Sequence, residues 1–249
     1  MPETPASSVI IPARGGSKRF PRKNIAPLAG CPLMSYAIKA GLDAELIESV
    51  VVSTDDEEIA EVAKQWGAEV PCLRPETLAT DHATADQAVA HMVRFLREDM
   101  EREVDIVVLI QPTSPFLNGR QIDEAVKMLA ENPELESVTT LAKLDHRLHP
   151  YNLAFVEDDE SWEFIFPKER EASRTRQSKP AAYQFANLFA ARSQTMLTRG
   201  RFGERKGAVV VEDVYAWDID HEWQLKVAEA MLREGIVDPT QISQPKKCG

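Results

Sequence analysis

Short apolar runs alternate with stretches of helical periodicity along most of the chain. The apolar runs predict strands at Val9–Pro12, Ser49–Ser53, Glu69–Leu73, Asp105–Ile110, Ser137–Leu141, Asn187–Ala191 and Ala208–Val211. The helical periodicity predicts helices at Pro32–Leu42, Asp55–Trp66, Ala85–Arg97, Gln121–Ala130 and Glu222–Arg233. Strands that are apolar throughout, rather than at every second position, are typical of a parallel sheet with helices on both faces. The pattern therefore predicts an α/β fold with a mostly parallel sheet, whose ligands bind beyond the carboxyl ends of the strands.

One segment interrupts this alternation. Asp145–Lys179 is polar and carries clustered aromatic side chains in partly alternating order. We interpret it as a hairpin-like excursion from the main sheet, suited to an interface arm. Gln241–Gly249 is predicted to be a loose tail. Because the chain shows no internal repeat and no low-complexity linker, residues 1–249 are predicted to form a single domain with 145–179 as its arm.

The charge balance limits the partners of the protein. The 249 residues carry a formal net charge of −11, which argues against general binding to nucleic acid. An anionic substrate therefore needs a local basic patch. No apolar run approaches the roughly 20 residues of a membrane span, and the N-terminus lacks the basic start of a signal peptide. The cysteines, Cys31, Cys72 and Cys248, are widely spaced, which favours a reduced compartment, and we expect a cytoplasmic protein without a membrane partner.

A basic loop follows the first predicted strand. Ala13–Asn24, with the sequence ARGGSKRFPRKN, places several Arg and Lys side chains close to Gly15 and Gly16. Glycines let backbone N–H groups approach an oxyanion, and the cations neutralise a polyphosphate. The spacing is not that of a P-loop. A solvated basic loop is the alternative, but a cluster of cations at the carboxyl end of a strand in an acidic chain favours polyphosphate binding.

Two further motifs lie where a predicted strand ends and where the last helix begins. Gln111–Pro115, QPTSP, follows an apolar strand, and Gln111 has the donor and acceptors to read a base edge or a sugar hydroxyl. An ordinary turn explains this motif equally well. Asp218 and Asp220, in the sequence DID, project on one face if the segment is extended, and they suit Mg²⁺ beside a triphosphate. The alternative is that Asp220 merely caps the helix that follows.

A last cluster lies in the excursion. Ser173–Gln177, SRTRQ, contains Arg176, whose guanidinium suits bidentate pairing with a substrate carboxylate. Solvated surface arginines are the commoner explanation of such a cluster. The histidines show no metal-ligand spacing, and no Ser–His–Asp arrangement is apparent. The residues themselves therefore favour a polyphosphate site with a divalent cation.

The order of these motifs resembles the CMP-N-acylneuraminate cytidylyltransferase family, which activates sialic acids and related nonulosonates. The resemblance runs from about Val9 to Met231 and is carried by IIPARGGSKRFPRKNI, VVVSTDDEEIAEVAKQWGAEV, LRPETLATD, LIQPTSPF, RTRQ and DIDHEWQLKVAE. It implies a three-layer α/β/α nucleotide-binding domain with a small dimerisation arm at 145–179, and a homodimer. It also implies a nucleotidyltransferase that converts CTP and an acidic nine-carbon sugar to a CMP-sugar and pyrophosphate.

The resemblance also implies roles for individual residues. Those it places at the nucleotide are Arg14, Gly15, Ser17, Lys18 and Asn24. Those it makes catalytic are Arg14, Lys18 and Lys23. It assigns the sugar to Gln111, Arg176 and Gln184, and the cation, Mg²⁺ or Mn²⁺, to Asp218 and Asp220.

The chain departs from the family after the RTRQ segment. Members that use N-acetylneuraminate often carry Arg-x-Asn-Gly where this chain has Gln184–Phe185–Ala186–Asn187, so that Gln184 stands in place of a sugar-contacting arginine. The RGGSKRFPRKN and FPKEREASRTRQ segments look closer to the pseudaminate or legionaminate cytidylyltransferases. The alternatives are an enzyme making CMP-3-deoxy-octulosonate, whose basic loop differs, and a catalytically silent subunit that binds a nucleotide sugar.

Overall fold

The computed structural model describes residues 5–238, 242–243 and 245. Its strands are β1 (Ser7–Pro12), β2 (Pro27–Leu28), β3 (Cys31–Pro32), β4 (Ser49–Ser53), β5 (Ile106–Ile110), β6 (Ser137–Lys143), β7 (Ala154–Val156), β8 (Trp162–Phe164), β9 (Tyr183–Arg192) and β10 (Lys206–Val211). Its α-helices are α1 (Leu33–Leu42), α2 (Glu57–Gln65), α3 (Ala85–Glu98), α4 (Gly119–Glu131), α5 (Pro167–Ala172), α6 (Ser193–Arg199) and α7 (Glu222–Arg233). In these described ranges, no helix has both the length and the apolar character needed to cross a membrane.

The central sheet has six strands in the order β10-β6-β9-β5-β1-β4. β1 pairs in parallel with β4 and β5, and β10 pairs in parallel with β6. β9 is antiparallel to both of its neighbours, β5 and β6. The prediction of a mostly parallel sheet is confirmed. Because β9 runs the other way, its first residue, Tyr183, lies opposite Lys143 at the edge where β6 ends.

Helices cover both faces of this sheet. Val9 and Ile11 of β1 belong to the core beneath α1, α2 and α4, whereas Ile10 between them belongs to the core beneath α3 and α6. Successive residues of a strand point to opposite faces, so a strand buried on both sides must be apolar throughout. The three-layer α/β/α arrangement is therefore confirmed.

A third apolar cluster connects the last helix to the start of the domain. Leu225 of α7 packs in this cluster with Leu28 of β2. Ile219 is fully buried in the same cluster. Its burial fixes the backbone between Asp218 and Asp220, so the core itself positions the DID segment.

The prediction of a strand over Glu69–Leu73 is wrong. This segment makes a single β-bridge, parallel to Val51, through its first residue. Pro71 lacks a backbone N–H and is unsuited to a place inside a ladder. The apolar character of the segment reflects packing against the sheet rather than membership of it.

Two helices differ from the expected pattern. Helix α2 begins at Glu57, not at Asp55, because Asp56 is its N-cap and accepts a hydrogen bond from the backbone N–H of Ile59 at 3.0 Å. No sequence pattern predicts α6, a seven-residue helix that follows β9 directly. A helix so short depends on packing, here of Met196 in the core beneath α3, rather than on its own periodicity.

The segment 145–179 is an excursion, as predicted. β7 and β8 form a separate two-stranded antiparallel sheet, followed by α5. Arg170 of α5 lies over the ring of Phe164, 4.0 Å from its centroid, and its Nη1 donates to Asn152 Oδ1 at 2.6 Å. We call this segment the arm. Its use in dimerisation stays a prediction.

Most of the predicted loose tail, Gln241–Gly249, lies outside the described residues, as does Cys248. Two of its described residues are held in place. Ile242 is buried in the third apolar cluster, and the backbone N–H of Ser243 donates to the carbonyl oxygen of Leu117 at 3.3 Å. For these two residues the prediction of a loose tail is wrong.

Candidate active site

The loops after β1 and β5 and the segment before α7 meet at the carboxyl edge of the parallel strands. Together they line a cavity of about 560 Å³. The predicted site residues in its lining are Arg14, Ser17, Lys18, Lys23, Asn24, Gln111, Asp218 and Asp220. The lining is completed by Pro12, Arg19, Phe20, Pro112 and Thr113. The structure thus brings the basic loop, the QPTSP motif and the DID segment to one place.

The basic loop is held from beneath by polar contacts. Asn24 is 4% exposed, and its Nδ2 donates to the carbonyl oxygen of Arg14 at 3.0 Å. The backbone N–H of Gly15 donates to Asp55 Oδ1 at 3.1 Å. A Cβ atom on Gly15 would lie 2.6 Å from Asp56 Oδ2, so the loop approaches the start of α2 too closely for a side chain here. Asp55 and Asp56, which follow β4, therefore position the loop.

Cations of the loop are paired with acids from other segments. Arg14 Nη1 lies 3.2 Å from Asp81 Oδ1, and Lys18 Nζ pairs with the other oxygen of the same carboxylate. Lys23 Nζ lies 2.8 Å from Asp220 Oδ1, and the Lys23 side chain is only 15% exposed. The hydrogen bond from Lys18, together with the charge of both cations, holds the pKa of Asp81 below its ordinary value. Arg14, Lys18 and Lys23 are thus each paired with an acid from another segment.

The DID segment is tied to the QPTSP motif. Thr113 Oγ1 donates to Asp218 Oδ1 at 2.5 Å, and the backbone N–H of Ile219 donates to the carbonyl oxygen of Thr113 at 3.1 Å. Ile219 points into the core, so Asp218 and Asp220 on either side of it both reach the cavity. Asp218 and Asp220 therefore lie on the same face of the segment, as expected if it is extended.

Helix capping does not account for Asp220. The N-cap of α7 is His221, and the side chain of Gln224 accepts from the backbone N–H groups of Asp220 and His221, each at 2.7 Å. The Asp220 carboxylate instead faces Lys23. It is therefore available to the cavity.

The pKa values of the Asp218 and Asp220 carboxyl groups are shifted in opposite directions. Burial, reinforced by the nearby charge of Asp220, raises the pKa of Asp218 above its ordinary value. The hydrogen bond from Lys23 lowers the pKa of Asp220. Asp218 is thus the carboxylate whose negative charge most needs a cation beside it.

The acid residues fit a cation that takes only part of its coordination from protein. In the described part of the chain, no group of three or more His, Cys, Asp or Glu side chains is arranged to hold a metal ion. The described residues offer the carboxylates of Asp218 and Asp220, so a cation held here would take its remaining ligands from phosphate or water. Mg²⁺ has this preference for one or two carboxylates beside phosphates.

Three predicted site residues do not line the cavity: Gly15, Arg176 and Gln184. Gly15 still belongs to the loop that does. Arg176 is exposed on the arm, and Gln184 is exposed on β9, opposite Ala142 of β6. A part for Arg176 and Gln184 in sugar binding stays a prediction.

Arg74 and Asp81, from the LRPETLATD segment, belong to the surroundings of the cavity but were not among the predicted site residues. Arg74 is 7% exposed, and its Nε donates to Ser53 Oγ at 3.1 Å. Its backbone N–H donates to the carbonyl oxygen of Thr54 at 2.7 Å. Arg74 thereby fixes the segment that carries Asp81 to the end of β4. Burial of a charged side chain has no local sequence signal, which is why Arg74 did not stand out. Asp81 did not stand out because its partners, Arg14 and Lys18, are far from it in the chain.

The sequence pattern of the cytidylyltransferase family matches residues 8–236. The chain is 34% identical over 180 residues to the pseudaminic acid cytidylyltransferase of Campylobacter jejuni subsp. jejuni serotype O:23/36 (strain 81-176), covering 72% of this chain and 75% of that protein. It is 47% identical over 119 residues to the CMP-N,N'-diacetyllegionaminic acid synthase of Legionella pneumophila subsp. pneumophila (strain Philadelphia 1), covering 48% of this chain and 51% of that protein.

Among solved structures, the fold is similar to that of CMP:2-keto-3-deoxy-manno-octonic acid synthetase complexed with CTP. The TM-score is 0.69, and the match covers 92% of this chain and 99% of that one. The two sequences are 16% identical, so this likeness shows the fold alone.

Proposed function

This chain belongs to the cytidylyltransferase family, and we propose that it transfers the cytidylyl group of CTP to the anomeric hydroxyl of an acidic nine-carbon sugar, giving a CMP-sugar and pyrophosphate. The names of the two relatives support this class of acceptor. The observation that carries the proposal is the cavity itself, where the cations of the basic loop, the amide of Gln111 and two carboxylates converge. Cations and carboxylates together suit a polyphosphate bound with a divalent metal.

We propose pseudaminate or legionaminate as the acceptor, ahead of N-acetylneuraminate. The Campylobacter relative spans most of this chain and is named for pseudaminic acid. The Legionella relative is named for a legionaminic acid and has the higher identity over a shorter stretch. Gln184, where N-acetylneuraminate enzymes often carry arginine, is consistent with a different sugar.

The reaction replaces the phosphoanhydride bond between the α- and β-phosphates of CTP by a phosphate ester bond to the sugar. The anomeric hydroxyl oxygen forms a bond to the α-phosphorus of CTP, in line with the bond from that phosphorus to pyrophosphate. The latter bond breaks, pyrophosphate leaves, and the hydroxyl proton is lost to solvent. Arg14, Lys18 and Lys23 supply fixed positive charge where the phosphate oxygens gain negative charge. Gln111 offers a donor and an acceptor to the sugar from the end of β5. Catalysis of this kind comes mainly from positioning and charge neutralisation.

A divalent cation, Mg²⁺ or Mn²⁺, would be held by Asp218 and Asp220. Thr113 fixes the orientation of Asp218, and Lys23 must give up part of its contact with Asp220 when a cation is bound. When bound, the cation neutralises phosphate charge and aligns the polyphosphate. The raised pKa of Asp218 fits this role because an adjacent cation relieves the cost of its buried charge.

We propose a homodimer formed through the arm, working in the cytoplasm. The arm carries apolar side chains that are exposed in one copy, among them Phe155, Val156 and Trp162. Exposed apolar patches of this kind are typical of interaction surfaces. The cytoplasmic location is supported by the dependence on CTP and by the widely spaced cysteines.

The test of the function is pyrophosphate release from CTP and Mg²⁺ across a panel of sugars. The panel contains pseudaminate, legionaminate, N-acetylneuraminate, its deaminated analogue and 3-deoxy-octulosonate, with reactions lacking sugar or metal as controls. We expect release with pseudaminate or legionaminate. Release with 3-deoxy-octulosonate alone would replace the proposed acceptor. If the protein binds CTP but releases no pyrophosphate with any sugar of the panel, the result would favour a silent subunit that binds a nucleotide sugar.

The cation site is tested with Asp220→Asn. This change removes one of two carboxylate ligands, and we expect pyrophosphate release to fall by about 100-fold or more, with a higher Mg²⁺ concentration needed for half-maximal rate. Asp213→Asn, an exposed acid outside the cavity lining, serves as the matched control. A variant at position 220 with wild-type turnover at limiting Mg²⁺ would refute the assignment.

A further inference from the structure

The carboxylate of Asp81 is shared by two cations of the basic loop. One of its oxygens lies 3.2 Å from Arg14 Nη1, and the other pairs with Lys18 Nζ. Arg14 Nη1 also donates to the carbonyl oxygen of Thr80 at 3.2 Å. The two cations, which both line the cavity, are thus drawn toward the loop that precedes α3.

Asp81 reaches these cations from outside the cavity. It lies between the 3₁₀ turn Glu76–Leu78 and α3, and it is not part of the cavity lining. A phosphate inside the cavity and the Asp81 carboxylate therefore compete for the same positive charges. Neither Arg14 nor Lys18 can hold both anions at full strength.

We propose that Asp81 is a built-in competitor of the triphosphate, displaced from Arg14 and Lys18 when the nucleotide binds. The inference rests on the proposed function, because it takes a polyphosphate as the ligand of these cations. The pairs are well suited to displacement: the Lys18 side chain is 77% exposed, that of Asp81 43% and that of Arg14 35%. Exposed ion pairs are individually weak, so a polyphosphate with several charges replaces them.

Two consequences follow for the reaction. The competition lowers affinity for CTP, and it lowers affinity for the pyrophosphate product at the same cations. Asp81 thus returns to its partners as pyrophosphate leaves, which favours product release. The pKa of Asp81, lowered by its contact with Lys18, keeps the carboxylate charged and able to compete.

The test is Asp81→Asn, which keeps the shape of the side chain and removes its charge. Binding of inorganic tripolyphosphate, CTP and cytidine is measured by calorimetry at low salt without divalent cations. We expect the variant to bind tripolyphosphate and CTP about three- to tenfold more tightly than wild type, since two weak pairs are lost. Cytidine, which carries no phosphate, should bind equally to both. The gain should shrink in high salt.

Two further variants isolate the cause. Glu134→Gln removes a more exposed acid, 76% against 43% for Asp81, which pairs with Arg205 just before the edge strand β10, and it should leave tripolyphosphate binding unchanged. In a Lys18→Met background, Asp81→Asn should give a smaller gain, because one of its two partners is gone. Unchanged or weaker tripolyphosphate binding by Asp81→Asn overturns the inference. If wild type binds tripolyphosphate but not CTP, the proposed function fails while the Asp81 competition is still decided.

Discussion

At the scale of single residues, Asp218 combines a proposed metal-binding role with a cost in stability. Burial raises its pKa, although Thr113 Oγ1 donates a hydrogen bond to its carboxylate at 2.5 Å. A carboxyl whose pKa is raised in the folded protein favours folding most when it is protonated. The cost is therefore absent below the ordinary aspartate pKa and complete above the raised pKa of the folded state.

Asp218→Asn is expected to separate stability from activity. The amide oxygen still accepts from Thr113, and the buried charge is gone, so the free energy of unfolding at pH 7 without metal should rise by about 1 kcal/mol. Pyrophosphate release should fall by about 100-fold or more. The measurement is urea unfolding at pH 7 and pH 3.5, beside an activity assay. The stability gain should vanish at the lower pH, and a gain of equal size at both pH values would mean that charge burial is not its cause.

At the scale of elements, the close packing of α1 and α4 depends on a glycine. A Cβ atom on Gly119 would lie 2.6 Å from the backbone carbon of Asp43, just after α1. Asp123, one turn along α4, accepts from the backbone N–H groups of Glu45 and Leu46 at 3.0 and 2.8 Å. These contacts seat the first turns of α4 directly on the turn after α1.

Gly119→Ala is therefore expected to destabilise the fold. The added methyl group meets backbone that cannot turn away, and we expect a loss of about 1–3 kcal/mol, measured by urea unfolding. Gly16→Ala is the matched control for stability, because no atom lies within 4 Å of its Cβ position. Its stability should stay within about 0.5 kcal/mol of wild type. Equal losses for the two variants would show that the close approach at Gly119 does not decide the outcome.

At the scale of the whole molecule, the arm and the edge strand β10 both expose apolar side chains. Val156 on the arm is 73% exposed, and Val210 on β10 is 62% exposed. Because the proposed dimer uses the arm, a charge at position 156 should disturb assembly, whereas a charge at position 210 should not.

Val156→Glu should shift the protein toward monomer in sedimentation velocity, by at least about tenfold in the dimer dissociation constant, because it places a charge in an apolar interface. Val210→Glu should leave the assembly as in wild type. Circular dichroism should be the same for both, since each side chain is exposed. Dissociation by Val210→Glu alone would move the interface to the edge of the sheet, and a monomeric wild type would contradict the proposed dimer.

The sequence by itself determined those strands, helices and motifs that can be recognised from a short stretch of the chain. Continuous apolar runs identified the strands of a sheet buried on both faces, and the residues of the basic loop, QPTSP and DID pointed to a polyphosphate site with a cation. The failed strand over Glu69–Leu73 and the unpredicted α6 mark the limit of this reasoning. In both places, packing against the sheet outweighs the local pattern.

Only the tertiary structure decided which residues meet. The local sequence does not predict the antiparallel direction of β9 or the contact of Asp81 with Arg14 and Lys18. It does not predict the burial of Arg74 at the end of β4 either. These contacts join residues far apart in the chain, and their energies depend on burial and distance, which a local pattern does not contain. The sequence thus specified the chemical groups of the site, while the folding of the sheet fixed their partners, because charge and burial act through space rather than along the chain.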